Sequence, residues 1–268
     1  MTLSRTSRWL LGAAMAVGLA FVYVPLAIVV INSFNTSRLF QWPPPGFTTE
    51  WWQAAFQNQG VRDALATSVV VAILATVIAL VLGTLTAMAV SRYDFWGRNT
   101  ISLLFVLPIA LPGIVTGIAL NNVFTSFLGG LTFMTLVIGH GTFCVVVVLN
   151  NAAARLRRTL GNVEEAAMDL GATRMQTFRD ITFPSMRSAL LAGGLLAFGL
   201  SFDEIIVTVF TAGPGVETLP IWIYQNLFRP NNAPIVNVVA AFLVLVSIVP
   251  IYIAQRFSNA DERGGGLL

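Results

Sequence analysis

The chain has 268 residues, of which 56% are hydrophobic and only 10% charged, and its mean hydropathy is +0.79. Soluble domains carry about a quarter charged residues, so this is an integral membrane protein with little material for a second, soluble domain. A single cysteine, Cys144, excludes an intramolecular disulfide framework and any thiolate cluster within the chain.

Six windows approach the ~20 apolar residues that cross a bilayer as a helix. They cover roughly 9–31, 67–89, 101–123, 131–149, 189–210 and 236–255. The expected fold class is therefore an all-α polytopic membrane protein with six transmembrane helices, its one domain filling 1–268. The first window follows Arg5 and Arg8, as a secretory signal would. Its apolar run is too long for a cleaved signal and no convincing cleavage site follows, so it reads as an uncleaved span.

The segment after it, 32–63, contains QWPPPGF, a stiff extended piece, and then TTEWWQAAFQ. Thr48 or Thr49 can cap a short helix there, with Trp51, Trp52 and Phe56 on one side. That aromatic side suits a membrane interface better than an external partner. The third window holds LPIALPGIVTG, where Pro108 and Pro112 remove backbone donors. The freed carbonyls need a partner or a wet cavity, so the kinks fit either a transport path or plain packing. His140, in GHG of the fourth window, is the only histidine. With no second ligand-type residue near it, a packed or hydrogen-bonded role is expected before a metal or proton-relay role. Asn121-Asn122 and Asn150-Asn151 fall at span ends, where interfacial solvation accounts for them.

Asp203 and Glu204 are, with His140, the ionisable residues well inside a window. Counted from Ala189 at 1.5 Å per residue, Asp203 lies roughly 21 Å along a continuous helix, past the midplane. A carboxylate at such depth costs at least ~2.5–3.5 kcal/mol, so it must face the protein interior or water and have a partner. A cationic substrate is one such partner; a fixed Arg, hydroxyl or helix end on a neighbouring subunit is the other. Adjacent helical residues point about 100° apart, so one of the two is expected to face a lumen.

Arginine placement sets the orientation. With the N-terminus inside, inner segments hold twelve arginines (5, 8, 92, 98, 155, 157, 158, 174, 179, 187, 256 and 263) and outer segments three, Arg38, Arg62 and Arg229. Both termini are expected in the cytoplasm. No HExxH, GxSxG, P-loop or metal-spaced acidic cluster occurs, so an enzyme is not expected, nor is a nucleic-acid partner.

One stretch breaks the apolar pattern: residues 162–184, NVEEAAMDLGATRMQTFRDITFP, inside a cytoplasmic loop of 150–188. Asn162 is a good N-cap, and Glu164 and Glu165 suit the positive end of a helix. Gly171 ends that helix as a residue free to turn left-handed. Thr173 can cap a second one carrying Met175, Phe178 and Ile181 at helical spacing. Such an amphipathic pair presents apolar groups that lipid or a partner protein must cover.

Glu165-Ala166-Ala167, three residues, Gly171, nine residues, then Ile181 and Pro184 resembles the EAA loop of ABC-importer permeases, with Phe183 in place of the usual Leu. The resemblance implies a type I, MetI-like permease fold and a coupling helix seated in a cleft of a cytoplasmic ATPase subunit. By that carry-over Glu164, Glu165, Ala166, Ala167, Asp169, Gly171 and Ala172 form the ATPase-coupling element, with no catalytic residue and no metal ligand. INSFNTSR, GFTTEWW, SRYDFWGR and SFDEIIVTVFTAGP resemble the spermidine/putrescine branch over about residues 10–255. That similarity implies a bacterial inner-membrane importer subunit for putrescine, spermidine or 4-aminobutyrate. The same architecture importing amino acids or ferric ion is the alternative. Implied partners are a second permease chain in a heterodimer, two ATPase subunits and an external solute-binding protein, besides the lipid bilayer. No cofactor is expected on this chain; ATP and Mg belong to the ATPase subunits. Asp203 and Glu204 are the candidate substrate-path residues.

Overall fold

The computed structural model describes residues 4–38, 41–158, 161–229 and 232–246. Its helices, in chain order, are α1 (Arg5–Asn32), α2 (Glu50–Gln57), α3 (Gln59–Arg92), α4 (Arg98–Ala110), α5 (Gly113–Phe127) and α6 (Phe133–Arg158). There follow α7 (Gly161–Asp169), α8 (Arg174–Thr177), a π-helical turn (Phe178–Thr182), α9 (Phe183–Phe202), α10 (Ile206–Thr211) and α11 (Leu219–Asn226). The last described helix is α12 (Ala233–Val246). Among the described residues no strand forms, apart from an isolated bridge between Asn35 and Phe47.

Four stretches are long and apolar enough to cross a membrane: α1, α3, α6 and the run Arg174–Phe202; α5 and α12 are shorter apolar helices. Two expected spans are therefore corrected. The third window is not one helix, because the chain leaves the helical region at Leu111 (ψ 146°) and Pro112 (ψ 132°). Proline lacks the donor the helix needs and pushes its predecessor toward extended geometry. Pro108 lies inside α4 without ending it. The fifth window also breaks, at 203–205, so Asp203 and Glu204 do not ride on one helix. Residues 247–255 of the sixth window, and Arg256 and Arg263, lie outside the described residues.

Two compact units are present. In the first, formed by residues up to Arg62 and from Trp222, α1 has no buried residue. The buried Asn35 organises the connection to α2: its side chain donates to the Gln41 carbonyl (3.0 Å) and accepts from the Ser37 N–H (2.9 Å). Trp51 Nε1 donates to the Asn35 carbonyl at 2.9 Å, and Trp52 stacks on Phe34 at 5.3 Å. These tryptophans pack on their own chain, and among the described residues of the segment 32–63 the exposed aromatics are Trp42, Phe47 and Phe56. Thr48 supplies the hydroxyl at the start of α2, accepting from the Glu50 N–H.

The second unit, from Asp63 to Ile221, is built round α6. Two-thirds (67%) of its apolar window is buried, against 28% for α3. Cys144, Val148, Ala152 and Leu156 of α6 meet Ala75, Ala79 and Ala87 of α3 and Ala197 of α9. Lipid tails are as apolar as leucine, so helices in a membrane associate through close packing of small residues. At Gly83 that approach is extreme, since a Cβ there would lie 2.9 Å from the Val145 carbonyl oxygen.

Candidate functional site

The break after α9 is held from three sides. Asp203 ends α9, its N–H reaching the Gly199 carbonyl at 3.3 Å. Glu204 then turns its carboxylate onto the start of α10, where Oε1 accepts the Val207 N–H at 2.9 Å. The far end of this six-residue helix is also satisfied. Asn121 of α5 donates to the Phe210 carbonyl at 2.7 Å, and Thr135 of α6 donates to the Thr211 carbonyl at 2.9 Å. A short helix at membrane depth leaves polar backbone groups that only the protein can satisfy, and these side chains do so. Asn121 is thus a tertiary ligand of α10, not an interfacial residue at a span end.

His140 closes the network. Its Nδ1 lies 2.8 Å from Ser201 Oγ on α9 and its Nε2 lies 2.9 Å from Thr208 Oγ1 on α10. Thr208 gives its proton to the Glu204 carbonyl at 2.8 Å, so its oxygen accepts from Nε2–H and Nδ1 accepts from Ser201. The fully buried ring bridges the two halves of the broken helix, the hydrogen-bonded role expected for it. Alongside, α5 lies so close to α10 that a Cβ on Gly117 would stand 2.6 Å from the Phe210 ring.

Asp203 is treated differently from its neighbour. It is exposed, and among the described residues nothing hydrogen-bonds or pairs with its carboxylate. The fold uses Glu204 and leaves Asp203 open.

The polar stretch forms the helical hairpin that its spacing suggests. Gly171 adopts φ 92°, its N–H bonds the Met168 carbonyl (2.9 Å) and the Ala172 N–H bonds the Ala167 carbonyl (3.0 Å). This is a Schellman ending, which a residue with a Cβ adopts only under strain. Thr173 and Gln176 form a capping box at the start of α8. Helix α7 begins at Gly161, so Asn162 falls within it instead of capping it. Glu165, Ala166, Asp169 and Gly171 are exposed, Ala167 and Ala172 partly so, and Leu170 (91%) and Met175 (73%) stand in the open. Glu164 alone of the seven turns inward. Its Oε1 accepts from Arg92 Nη2 and from Thr182 Oγ1, each at 3.0 Å. Sequence reasoning missed Arg92 and Thr182, and no local pattern links a residue at 92 to one at 164.

Residues 79–263 match the model of the family described as the binding-protein-dependent transport system inner membrane component. The chain is 34% identical over 258 residues to the spermidine/putrescine transport system permease protein PotC of Escherichia coli (strain K12), covering 96% of this chain and 97% of that one. It is 32% identical over 254 residues to the putrescine transport system permease protein PotI of the same strain, covering 90% and 89%. Among solved structures, a chain of a bacterial ABC transporter involved in the import of the acidic polysaccharide alginate matches with a TM-score of 0.67. That match has 16% identity and covers 97% of this chain and 99% of that one. A chain of the inward-facing MetNI methionine ABC transporter matches with a TM-score of 0.59 at 19% identity, covering 75% and 94%. These two likenesses speak to the fold alone, that of a MetI-like ABC-importer permease.

Proposed function

The chain belongs to the family of binding-protein-dependent transport inner-membrane components, and on that premise we propose that it imports polyamines or related amines, putrescine, spermidine or 4-aminobutyrate. The named cargo of PotC and PotI supports that class. The observation that carries it on this chain is Asp203: an exposed carboxylate at a helix break, left without a protein partner among the described residues while Glu204 beside it accepts the Val207 N–H. An unpaired carboxylate in a low-dielectric passage attracts an ammonium group and repels an oxyanion. An amino acid or ferric ion carried by the same architecture is the second possibility, since the free carboxylate also suits those charges.

In this proposal the whole chain acts as one permease domain in a bacterial inner membrane, with both termini cytoplasmic. It pairs with a second, related permease chain and receives cargo from an external binding protein. Two ATPase subunits hold ATP and Mg and carry out hydrolysis. Glu165, Ala166, Ala167, Asp169, Gly171 and Ala172 form the surface on which one of them docks, and the exposed Leu170 and Met175 supply its apolar contacts. Alternating access follows from the ATPase pair closing and opening.

Uptake of labelled putrescine, spermidine and 4-aminobutyrate into proteoliposomes holding the assembled transporter tests the proposal. Asp203→Asn should lower amine uptake about tenfold, the effect of ~1.4 kcal/mol at the passage. Transport of none of the three amines by the wild type would remove the amine assignment, and wild-type uptake by Asp203→Asn would remove Asp203 from the substrate path.

A further inference from the structure

Glu164 sits in the first turn of the docking helix, yet its side chain is only 13% exposed. It meets the last residue of α3, Arg92, and the last residue of the π-helical turn, Thr182. Besides the two hydrogen bonds to Oε1, Arg92 Nε stands 3.0 Å from Oε2. That second approach is too bent for a hydrogen bond and acts as a charge contact. Thr182 is itself buried (3%) and directly precedes α9. The chain of bonds continues: Ser185 Oγ donates to the Thr182 carbonyl at 2.7 Å, and Arg155 Nε of α6 donates to the Ser185 carbonyl at 2.8 Å. One carboxylate thus ties α7 to α3 directly, to α9 through one hydroxyl, and to α6 one step further on.

The π-helical turn is part of the device. Such a turn inserts one residue into the helical count, and π-turns concentrate at functional positions. One residue rotates a helix face by ~100°, so the π-turn sets which face of the following helix shares a side with the Thr182 hydroxyl. The neighbouring faces of the hairpin have no such ties: Glu165, Ala166 and Asp169 are exposed.

We infer that Glu164, Arg92 and Thr182 form a brace that passes movement of the docking helix into α3 and α9, and that Glu164 is a positioning residue, not a docking contact. This rests on the hairpin being the ATPase-docking element. A push on the outer face of α7 would bend an unbraced hairpin about its Gly171 turn. With the brace, the same push displaces the end of α3 and the start of α9 together. The far end of α9 carries the break at Asp203, so the brace and the candidate path lie at opposite ends of one helix.

The test uses the assembled transporter in proteoliposomes, with three readouts: co-purification of the ATPase subunits, ATP hydrolysis, and uptake of whichever of putrescine, spermidine or 4-aminobutyrate the wild type carries. Glu164→Gln, nearly isosteric, should keep ATPase co-purification and lower uptake per ATP hydrolysed by about fivefold or more, the range of ordinary site-to-site coupling. Thr182→Val should lower it about twofold, because it removes one of the two hydrogen bonds to Oε1. The exchange Arg92→Glu with Glu164→Arg should recover at least half of what Glu164→Gln loses. Unchanged uptake per ATP in Glu164→Gln overturns the brace. So does loss of ATPase co-purification in that variant, which would make Glu164 a docking contact. If the single variants fail to assemble, an assembled exchange variant without recovery overturns it too. Failure of the docking assignment is distinguishable, because Glu165→Lys would then leave co-purification intact.

Discussion

Two regions of this chain each carry a pair of adjacent carboxylates, and both pairs divide in the same way. In the hairpin, Glu164 is turned into the fold by Arg92 and Thr182 while Glu165 faces out. At the interrupted helix, Glu204 caps α10 while Asp203 is left open. Neighbouring residues cannot share a direction, so a charged pair gives the fold one anchor and leaves one group for an outside partner. The regions differ in their setting. The hairpin is polar, and local capping bonds shape most of it; the broken helix sits among apolar spans and depends on side chains from α5 and α6.

The largest expected effect breaks the outward half of the hairpin pair. Glu165→Lys or Gly171→Arg should reduce transport by about a hundredfold or more while insertion is retained, since a reversed charge in an interface costs several kcal/mol and an arginine at φ 92° strains the hairpin turn. Pull-down of the ATPase should fail in both variants, and normal pull-down with normal uptake would sink the docking assignment. Next, the pair at the broken helix should separate by readout. Asp203→Asn should lower uptake about tenfold with little change in heat stability. Glu204→Ala should instead cost about 0.5–2 kcal/mol of stability through loss of its cap, read as a lower melting temperature of the purified permease pair. Equal effects from the two would erase the distinction.

A smaller effect tests the clamp around α10. Gly117→Ala places a methyl group against the Phe210 ring, and overpacking of that kind costs about 1–3 kcal/mol, again measured by thermal unfolding in detergent. The smallest effect is on folding at the hairpin tip. Leu170→Ser should alter the stability of the permease by no more than about 0.5 kcal/mol, because Leu170 is exposed, while weakening ATPase pull-down. A large loss of stability there would mean that the tip is packed within the permease itself.

The sequence by itself determined the features that depend on short spacing. Apolar runs marked the membrane helices, the Gly171 turn and Thr173 cap marked the hairpin, and Pro112 marked an irregularity in the third span. Each of these acts within a few residues through backbone geometry, so it can be read along the chain. Only the tertiary structure decided the break at 203–205. SFDEIIVTVF contains neither proline nor glycine, and its local bonds, the Val207 N–H to Glu204 Oε1 and the Thr208 hydroxyl to the Glu204 carbonyl, involve residue types that do not by themselves mark a helix end. The break stands because His140, Asn121 and Thr135 satisfy groups on α9 and α10 from 61 to 89 residues away along the chain. The division within the hairpin's acidic pair was decided the same way, whereas Glu204 is engaged locally by the Val207 N–H: Arg92 reaches Glu164 across 72 residues, and hydrogen-bond partners at that separation leave no periodic trace in the sequence.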